Sequence, residues 1–189
     1  MIKRSQPMIK RSNLTRTVTA PGLAVIKTYE GLKLRLYLCP ANKATIGYGH
    51  VLLPKFDAAL FGLTPDALTR IIDDCERRRA LTREAKQLNA ISPEQADALL
   101  AKDAQLAADA VNSLTGVALS QAQFDALVSF VFNIGHGNYA KSTMRKKLKA
   151  SDYAAAADEF ERWVFGGGKR LAGLAARRKD ERDLFLSIV

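Results

Sequence analysis

The sequence predicts an α+β domain that is mainly α-helical, with a small N-terminal antiparallel β-ribbon and a C-terminal helical bundle. Residues 34–38 alternate between apolar and polar side chains, and a turn and a second short apolar segment at 44–48 follow them. Beyond that ribbon, Thr64, Ser92 and Ser120 each begin a segment with the residue pattern of a helix N-terminus. One helix, a short ribbon and then a series of helices are therefore expected.

The first helix is predicted to end at an acidic residue. Pro21 suits the first helical turn, and apolar residues follow it at helical spacing at Leu23, Ile26 and Tyr29. This register places Glu30 at the end of the helix, and Gly31 terminates it. The ribbon then begins directly after the acid.

Helices account for most of the remaining chain. Thr64 precedes a proline, and Ser92 and Ser120 each stand three residues before a glutamine, as in a capping box. The third of these helices carries a broad apolar stripe and is broken by glycine at 135–137. We expect further helices near 142–150 and 152–164, a flexible glycine loop at 166–168, and a last basic helix ending near Leu186.

Length and charge predict one domain preceded by a basic tail. The 189 residues carry a net charge of +10, and five cations with no acid lie in residues 1–16. We expect residues 1–18 to form a disordered tail and residues 19–189 a single domain. This tail and a second basic cluster at 141–149 can attract nucleic acid, anionic lipid or cell-wall polymers, or they can simply be solvated. Charge alone selects none of these interpretations.

Composition excludes several classes of protein. The two cysteines, Cys39 and Cys75, lie far apart, and so do the two histidines, His50 and His136; neither a disulfide framework nor a metal site is expected. No apolar run is long enough to span a bilayer, and the N-terminus lacks the apolar region of a signal peptide. Synthesis in a cytoplasm and export by another route are therefore predicted.

Residues 30–50, EGLKLRLYLCPANKATIGYGH, closely resemble the N-terminal motif of the phage-type lysozymes, the endolysins of glycoside hydrolase family 24. The family pattern is a Glu, eight residues, an Asp or Cys, five residues and a Thr, which Glu30, Cys39 and Thr45 match without a gap. The resemblance continues through residues 121–135, 142–163 and 166–185, the last being similar to lambdoid endolysins. Cys39 stands where most relatives carry Asp.

The resemblance implies a lysozyme-like fold and a muramidase. Such an enzyme hydrolyses the β-1,4 bond between N-acetylmuramic acid and N-acetylglucosamine in peptidoglycan and needs no cofactor or metal. It would accumulate in the host cytoplasm and reach the periplasm and cell wall through a holin pore, lysing the host. We expect a monomer that binds no nucleic acid, and whose basic tail contacts anionic lipid or lipopolysaccharide of the envelope.

The matched residues receive roles from this resemblance. Glu30 is the expected general acid, a role that requires a proton at neutral pH and hence partial burial. Cys39 is the expected base or nucleophile, because a thiolate can act as either. The Thr45 hydroxyl would hold the attacking water. Without the resemblance, a solvated helix end and a small apolar residue would be the favoured interpretations of Glu30 and Cys39. For Thr45, an ordinary strand residue and a functional one would be equally good interpretations. Arg162 is a candidate to orient the carboxyl group of Glu30.

Two further residues are candidates for substrate binding. Tyr37 can stack on a sugar face, and the amide of Asn133 can bond an N-acetyl group. His50 is expected to pair with an acid and brace the ribbon, whereas His136 is expected to be exposed. We expect Cys75 to be inert, because it lies among acidic residues.

Two alternative functions remain open from the sequence. A lytic transglycosylase would need Glu30 alone and would give an anhydro product from the same bond. A non-catalytic, cationic wall- or membrane-binding antibacterial protein would keep its activity without Glu30.

Overall fold

The computed structural model of the chain describes residues 15–187. Most of the predicted tail, residues 1–14, lies outside the described residues. Within its remaining part, the backbone N–H of Arg16 donates to the Asn112 side chain at 3.3 Å, and the Gln121 side-chain amide donates to the Thr17 carbonyl at 3.1 Å. Arg16 and Thr17 are thus hydrogen-bonded to the helical part of the domain.

The N-terminal elements follow the predicted order. Helix α1 spans Ala20–Glu30 and ends at Gly31, whose φ is 71°. Strands β1 (Lys33–Leu38) and β2 (Ala44–Gly47) pair antiparallel, with Tyr37 opposite Thr45.

A third strand, β3 (His50–Val51), pairs with β2 and completes the order β1-β2-β3. The prediction of a two-stranded ribbon was wrong here. Gly47 and Gly49 take φ values of 65° and 97°, which reverse the chain in a conformation that favours glycine.

Nine more α-helices complete the described chain. Their bounds are α2 Pro54–Asp57, α3 Pro65–Arg78, α4 Arg83–Gln87, α5 Pro93–Thr115, α6 Gln121–Ile134, α7 His136–Lys141, α8 Thr143–Lys149, α9 Tyr153–Asp158 and α10 Ala172–Leu186. The predicted caps are confirmed: Thr64 accepts a hydrogen bond from the Ala67 N–H, and Ser92 and Ser120 form capping boxes. Two 3₁₀ turns, Ala58–Phe61 and Phe160–Arg162, follow α2 and α9.

The glycine run forms a hairpin instead of the predicted flexible loop. Strands β4 (Phe165–Gly166) and β5 (Lys169–Arg170) pair antiparallel. The two residues between them, Gly167 and Gly168, have φ values of 57° and 76°, the positive values that a two-residue hairpin turn of type I′ requires.

Two apolar cores share helix α5, whose 23 residues span roughly 35 Å. The smaller core joins the ribbon to α3 and to the start of α5, and includes Ile46, Leu68 and Leu99. The larger core joins the rest of α5 to α1 and to α6–α10, and includes Ile26 and Phe130. As a result, α1 belongs to the helical lobe, although the ribbon that follows it packs in the other lobe. Among the described helices, none is long and apolar enough to cross a membrane.

Candidate active site

Glu30 lies at the end of α1, where the helical lobe meets the ribbon. Its side chain is 25% exposed, and its Oε1 accepts a hydrogen bond from Arg177 Nη1 at 2.6 Å. Arg177, on α10, is 3% exposed, so the carboxyl group is held by a guanidinium that can hardly move. A carboxyl group fixed in position and still open to solvent can exchange a proton with a bound molecule.

A buried network of charged groups holds Arg177. Its Nε donates to Glu181 Oε1 at 3.1 Å, and its Nη2 donates to the Ser129 carbonyl at 3.2 Å. Glu181, which is fully buried, also accepts hydrogen bonds from the Ser129 hydroxyl at 2.7 Å and from Arg178 Nη2 at 3.0 Å. Arg177 therefore shares its positive charge between two carboxyl groups, Glu30 and Glu181.

Burial shapes the electrostatics of this network. It raises the pKa of Glu181, although Arg178 and Arg177 oppose the shift. It also lowers the pKa of Arg178 to about 10, against the attraction of Glu181. Since that value still lies well above 7, Arg178 remains charged at neutral pH.

Cys39 follows the last residue of β1 and is partly buried. A hydrogen bond from the Lys43 backbone lowers the pKa of its thiol; burial opposes this shift, and the Thr45 side chain supports it. A lowered pKa increases the fraction of thiolate, which is the form that acts as base or nucleophile.

Thr45 is 1% exposed and lies in the centre of β2. Its hydroxyl donates to the Lys43 carbonyl at 2.8 Å. Because a hydroxyl has one proton to donate, this bond competes with a bond to the Cys39 thiolate. The expected contact of this hydroxyl with an attacking water stays a prediction.

Tyr37 connects the two sides of the site. Burial raises the pKa of its hydroxyl, and the negative charges of Cys39 and Glu30 raise it further, so both groups lie within electrostatic range. The Lys33 ammonium lies 4.0 Å from the centroid of the ring. The ribbon pairs Tyr37 with Thr45, close to Cys39, and Glu30 precedes the ribbon at the end of α1.

Asn133 lies near the end of α6 and is exposed. Its Oδ1 accepts a hydrogen bond from Arg178 Nη2 at 3.1 Å. Through Arg178, Glu181 and Arg177 it joins the same network that holds Glu30.

The proposed role of Arg162 was wrong. Its side chain is 73% exposed, and its Nε lies 3.3 Å from Glu159, so Arg177 and not Arg162 contacts Glu30. Arg177, Arg178 and Glu181 were missed by the sequence reasoning. A signal was available: Arg177 and Glu181 precede the buried Phe185 by eight and four residues, which places all three on one face of α10.

His50 braces the ribbon, as predicted. Its ring is 4% exposed, Nδ1 lies 2.8 Å from Asp103 on α5, and Nε2 lies 2.9 Å from Asp57 on α2. His136 is exposed, as expected, and Cys75 is buried; the inertness of Cys75 stays a prediction. In residues 15–187 no group of three or more His, Cys, Asp and Glu side chains is placed to hold a metal ion.

An α+β domain in which a fixed carboxyl group ends the first helix and a thiol lies beside a short ribbon has the arrangement of a lysozyme-type fold. The model of the phage lysozyme family matches residues 27–181. The chain therefore belongs to the phage lysozyme family.

Individual relatives agree with this assignment. The chain is 35% identical over 174 residues to the endolysin of Acyrthosiphon pisum secondary endosymbiont phage 1, covering 90% of this chain and 98% of that one. It is 36% identical over 172 residues to the endolysin of Bacillus phage B103, covering 90% of this chain but only 54% of that one. A crystal structure of a P22 lysozyme mutant superposes with a TM-score of 0.71 at 32% identity, covering 91% of this chain and 99% of that one.

These comparisons confirm the predicted family, the lysozyme-like fold and the class of enzyme, a glycoside hydrolase of the lysozyme type. The relatives' names support the predicted endolysin function. The roles of the individual site residues stay predictions.

Proposed function

We propose that this protein hydrolyses the β-1,4 bond between N-acetylmuramic acid and N-acetylglucosamine in peptidoglycan. Glu30 donates a proton to the glycosidic oxygen as the bond breaks. The Cys39 thiolate, on the ribbon side, either removes a proton from the attacking water or attacks the sugar carbon itself.

The observation that supports this proposal most strongly is the hydrogen-bonded ion pair between Arg177 and Glu30. A buried guanidinium that bridges Glu30 and Glu181 fixes the carboxyl group in one orientation. Such fixation lowers the entropic cost of reaching the reactive geometry.

The lowered pKa of Cys39 supports its part in the reaction. A neutral thiol is a poor base, so catalysis at neutral pH depends on the thiolate fraction. The Lys43 backbone contributes most to this fraction, and the Thr45 side chain adds to it, as do the backbones of Ala41 and Cys39. Thr45 therefore assists through Cys39, in addition to any contact with water.

Substitution of Glu30 by glutamine tests the proposal. Glu30→Gln retains the size of the side chain but removes the proton, so hydrolysis of purified peptidoglycan should fall by about 10²- to 10⁴-fold. Glu161→Gln is the matched control, since that side chain is 72% exposed and lies outside the site. Residual activity above about a tenth of wild type would sink the role of Glu30.

Analysis of the products separates the alternatives. Hydrolysis adds one water to each cleaved bond, whereas a lytic transglycosylase leaves an anhydro end, and mass spectrometry of the muropeptides distinguishes the two. Killing of cells that survives Glu30→Gln would instead support a non-catalytic, cationic antibacterial protein.

We also propose that the protein acts as a monomer, reaches the wall through a holin pore, and contacts the anionic envelope through its basic N-terminus. Arg16 anchors this segment to the carbonyl oxygen of Leu119, and Arg145 of α8 anchors to the carbonyl oxygen of Leu114. Arg16 and Arg145 of α8 therefore lie against the end of α5 and the connection that follows it. A phosphate-rich surface complements this charge better than a neutral one does.

A further inference from the structure

We propose that Arg178 is a positioning residue that holds the Asn133 amide with its nitrogen outward. Asn133 then offers a ligand only hydrogen-bond donors and selects a ligand atom that accepts them. The ligand assigned below rests on the proposed peptidoglycan hydrolysis. Its acceptor is the carbonyl oxygen of an acetamido group.

The Arg178 side chain is buried and held in place by several contacts. Its side chain is 1% exposed, and its guanidinium lies 4.9 Å from the centroid of the Phe130 ring. Nη2 donates both to Glu181 Oε1 at 3.0 Å and to Asn133 Oδ1 at 3.1 Å. Glu181 is in turn held by Ser129 and Arg177, so the nitrogen that faces Asn133 has no freedom to withdraw.

This contact determines which way the Asn133 amide points. A guanidinium has donors and no acceptor, so only the oxygen of the amide can face it. The NH₂ group must therefore face away from Arg178, and Nδ2 has no hydrogen-bond partner in the described part of the chain. Asn133 is exposed and presents two free donors.

A second asparagine close by shows the opposite arrangement. The Asn138 Nδ2 donates to the Ile134 carbonyl at 2.7 Å, which uses the amide within the protein. Asn138 is also exposed, so it provides a matched control for a change of amide to carboxylate on the same surface region.

Two donors beside a buried positive charge select the chemistry of the ligand. An acetamido carbonyl oxygen accepts a hydrogen bond, whereas the ammonium of a de-N-acetylated sugar offers only donors and cannot accept one from Asn133. Asn133, as oriented by Arg178, should therefore make N-acetylated glycan a better substrate than partly de-N-acetylated glycan.

Asn133→Asp replaces the outward hydrogen-bond donor by an acceptor in a side chain of the same size. One carboxylate oxygen keeps the bond to Arg178, and the other turns the outward position into an acceptor. On N-acetylated peptidoglycan, KM should rise about 3- to 10-fold, the effect of one hydrogen bond, with a smaller change in kcat at each variant's pH optimum. On de-N-acetylated peptidoglycan KM should fall, while Asn138→Asp should change neither value.

Arg178→Lys tests the positioning role itself. A lysine ammonium keeps the charge but cannot hold Asn133 and Glu181 with a planar fork, so the amide can rotate. The preference for N-acetylated glycan should weaken, and adding Asn133→Asp to Arg178→Lys should change KM less than Asn133→Asp does alone. If Arg178→Lys fails to fold, as its melting curve would show, the comparison of Asn133→Asp with Asn138→Asp decides.

Three outcomes would overturn the inference. Asn133→Asp and Asn138→Asp could change KM equally, or Asn133→Asp could leave the preference for N-acetylated glycan unchanged. The third is that the KM effect of Asn133→Asp disappears on glycan strands freed of their peptides. The last would mean that Asn133 meets a peptide carboxylate instead of an acetamido group. Failure of the proposed function is distinguishable, because wild type would then release no muropeptides in a Glu30-dependent manner.

Discussion

Replacing His50 by asparagine should destabilise the ribbon strongly, and the loss should depend on pH. His50 is 4% exposed and bridges Asp57 on α2 and Asp103 on α5, at 2.9 and 2.8 Å. Breaking a buried ion pair by removing one partner costs about 3–5 kcal/mol. We expect the lower end, because Asp57 keeps the hydrogen bond from the Leu53 N–H at 2.6 Å and Asp103 is 28% exposed to water.

That cost converts to a measurable shift in melting temperature. At about 2–4 °C per kcal/mol for a chain of this length, a loss of about 3 kcal/mol lowers Tm by roughly 6–12 °C. Thermal unfolding followed by circular dichroism measures it directly. His136→Gln is the matched control: it removes the other histidine, which is exposed, and should shift Tm by less than about 2 °C.

The pH dependence follows from the direction of the pKa shift. Burial opposes the charged ring, but the hydrogen bonds to Asp103 and Asp57 prevail and raise the pKa of His50. A raised pKa means that the folded state holds the proton more tightly, so this stability is fully present below about 6.5, the unfolded value. It is lost as the pH rises from there through the folded pKa.

The difference in Tm between wild type and His50→Asn should therefore be largest below about pH 6.5 and should shrink at alkaline pH. Titration of other groups largely cancels in this difference. An equal Tm deficit across the whole pH range would refute the reasoning, since the bridge would then stabilise the fold without using charge.

Two further predictions concern the thiol and the N-terminus. Cys39→Asp should retain substantial lytic activity, whereas Cys39→Ser should lose most of it, because a serine hydroxyl without an adjacent base stays protonated. In a pH–rate profile, the acidic limb of wild type should lie at a lower pH than the value of about 8.5 for a free thiol, because the pKa of Cys39 is lowered. It should lie at a higher pH than the limb of Cys39→Asp, since a free Asp titrates near about 3.9. Wild-type speed in Cys39→Ser would make Cys39 a packing residue. Deleting residues 1–14 should leave hydrolysis of purified peptidoglycan nearly intact but weaken binding to anionic vesicles at low salt, and equal vesicle binding before and after deletion would remove that role.

The elements that the sequence predicts well are those with a local physical cause. The end of α1 at Glu30 follows from helical spacing and from the glycine after it, and the starts at Ser92 and Ser120 follow from capping boxes. Strands β3, β4 and β5 escape prediction because two residues are too few to show an alternating pattern. Their pairing depends on the glycine turns beside them.

Some residues of the candidate site could likewise be predicted from local sequence, and others could not. Glu30, Cys39 and Thr45 stand within one ribbon and its preceding helix, so their spacing along the chain already implies proximity. Asn133 and Arg177 lie 103 and 147 residues after Glu30, on α6 and α10, and belong to the network that holds it. No local pattern links them to Glu30, because that link exists only once α10 packs on α6 and α1.

Arg162 and Arg177 show which sequence signal identifies the arginine that pairs with a carboxyl group such as that of Glu30. Both are arginines near the C-terminal end of the chain, and charge alone makes them equal candidates to hold Glu30. Arg162 lies in a 3₁₀ turn and is 73% exposed, so an ion pair it made would be screened by water and would constrain little. Arg177 shares its helix face with the buried Phe185 and is therefore drawn inside, where its charge needs Glu30 and Glu181 as partners. The periodicity of apolar residues around a charged residue is thus a better guide to such a partner than the charge itself.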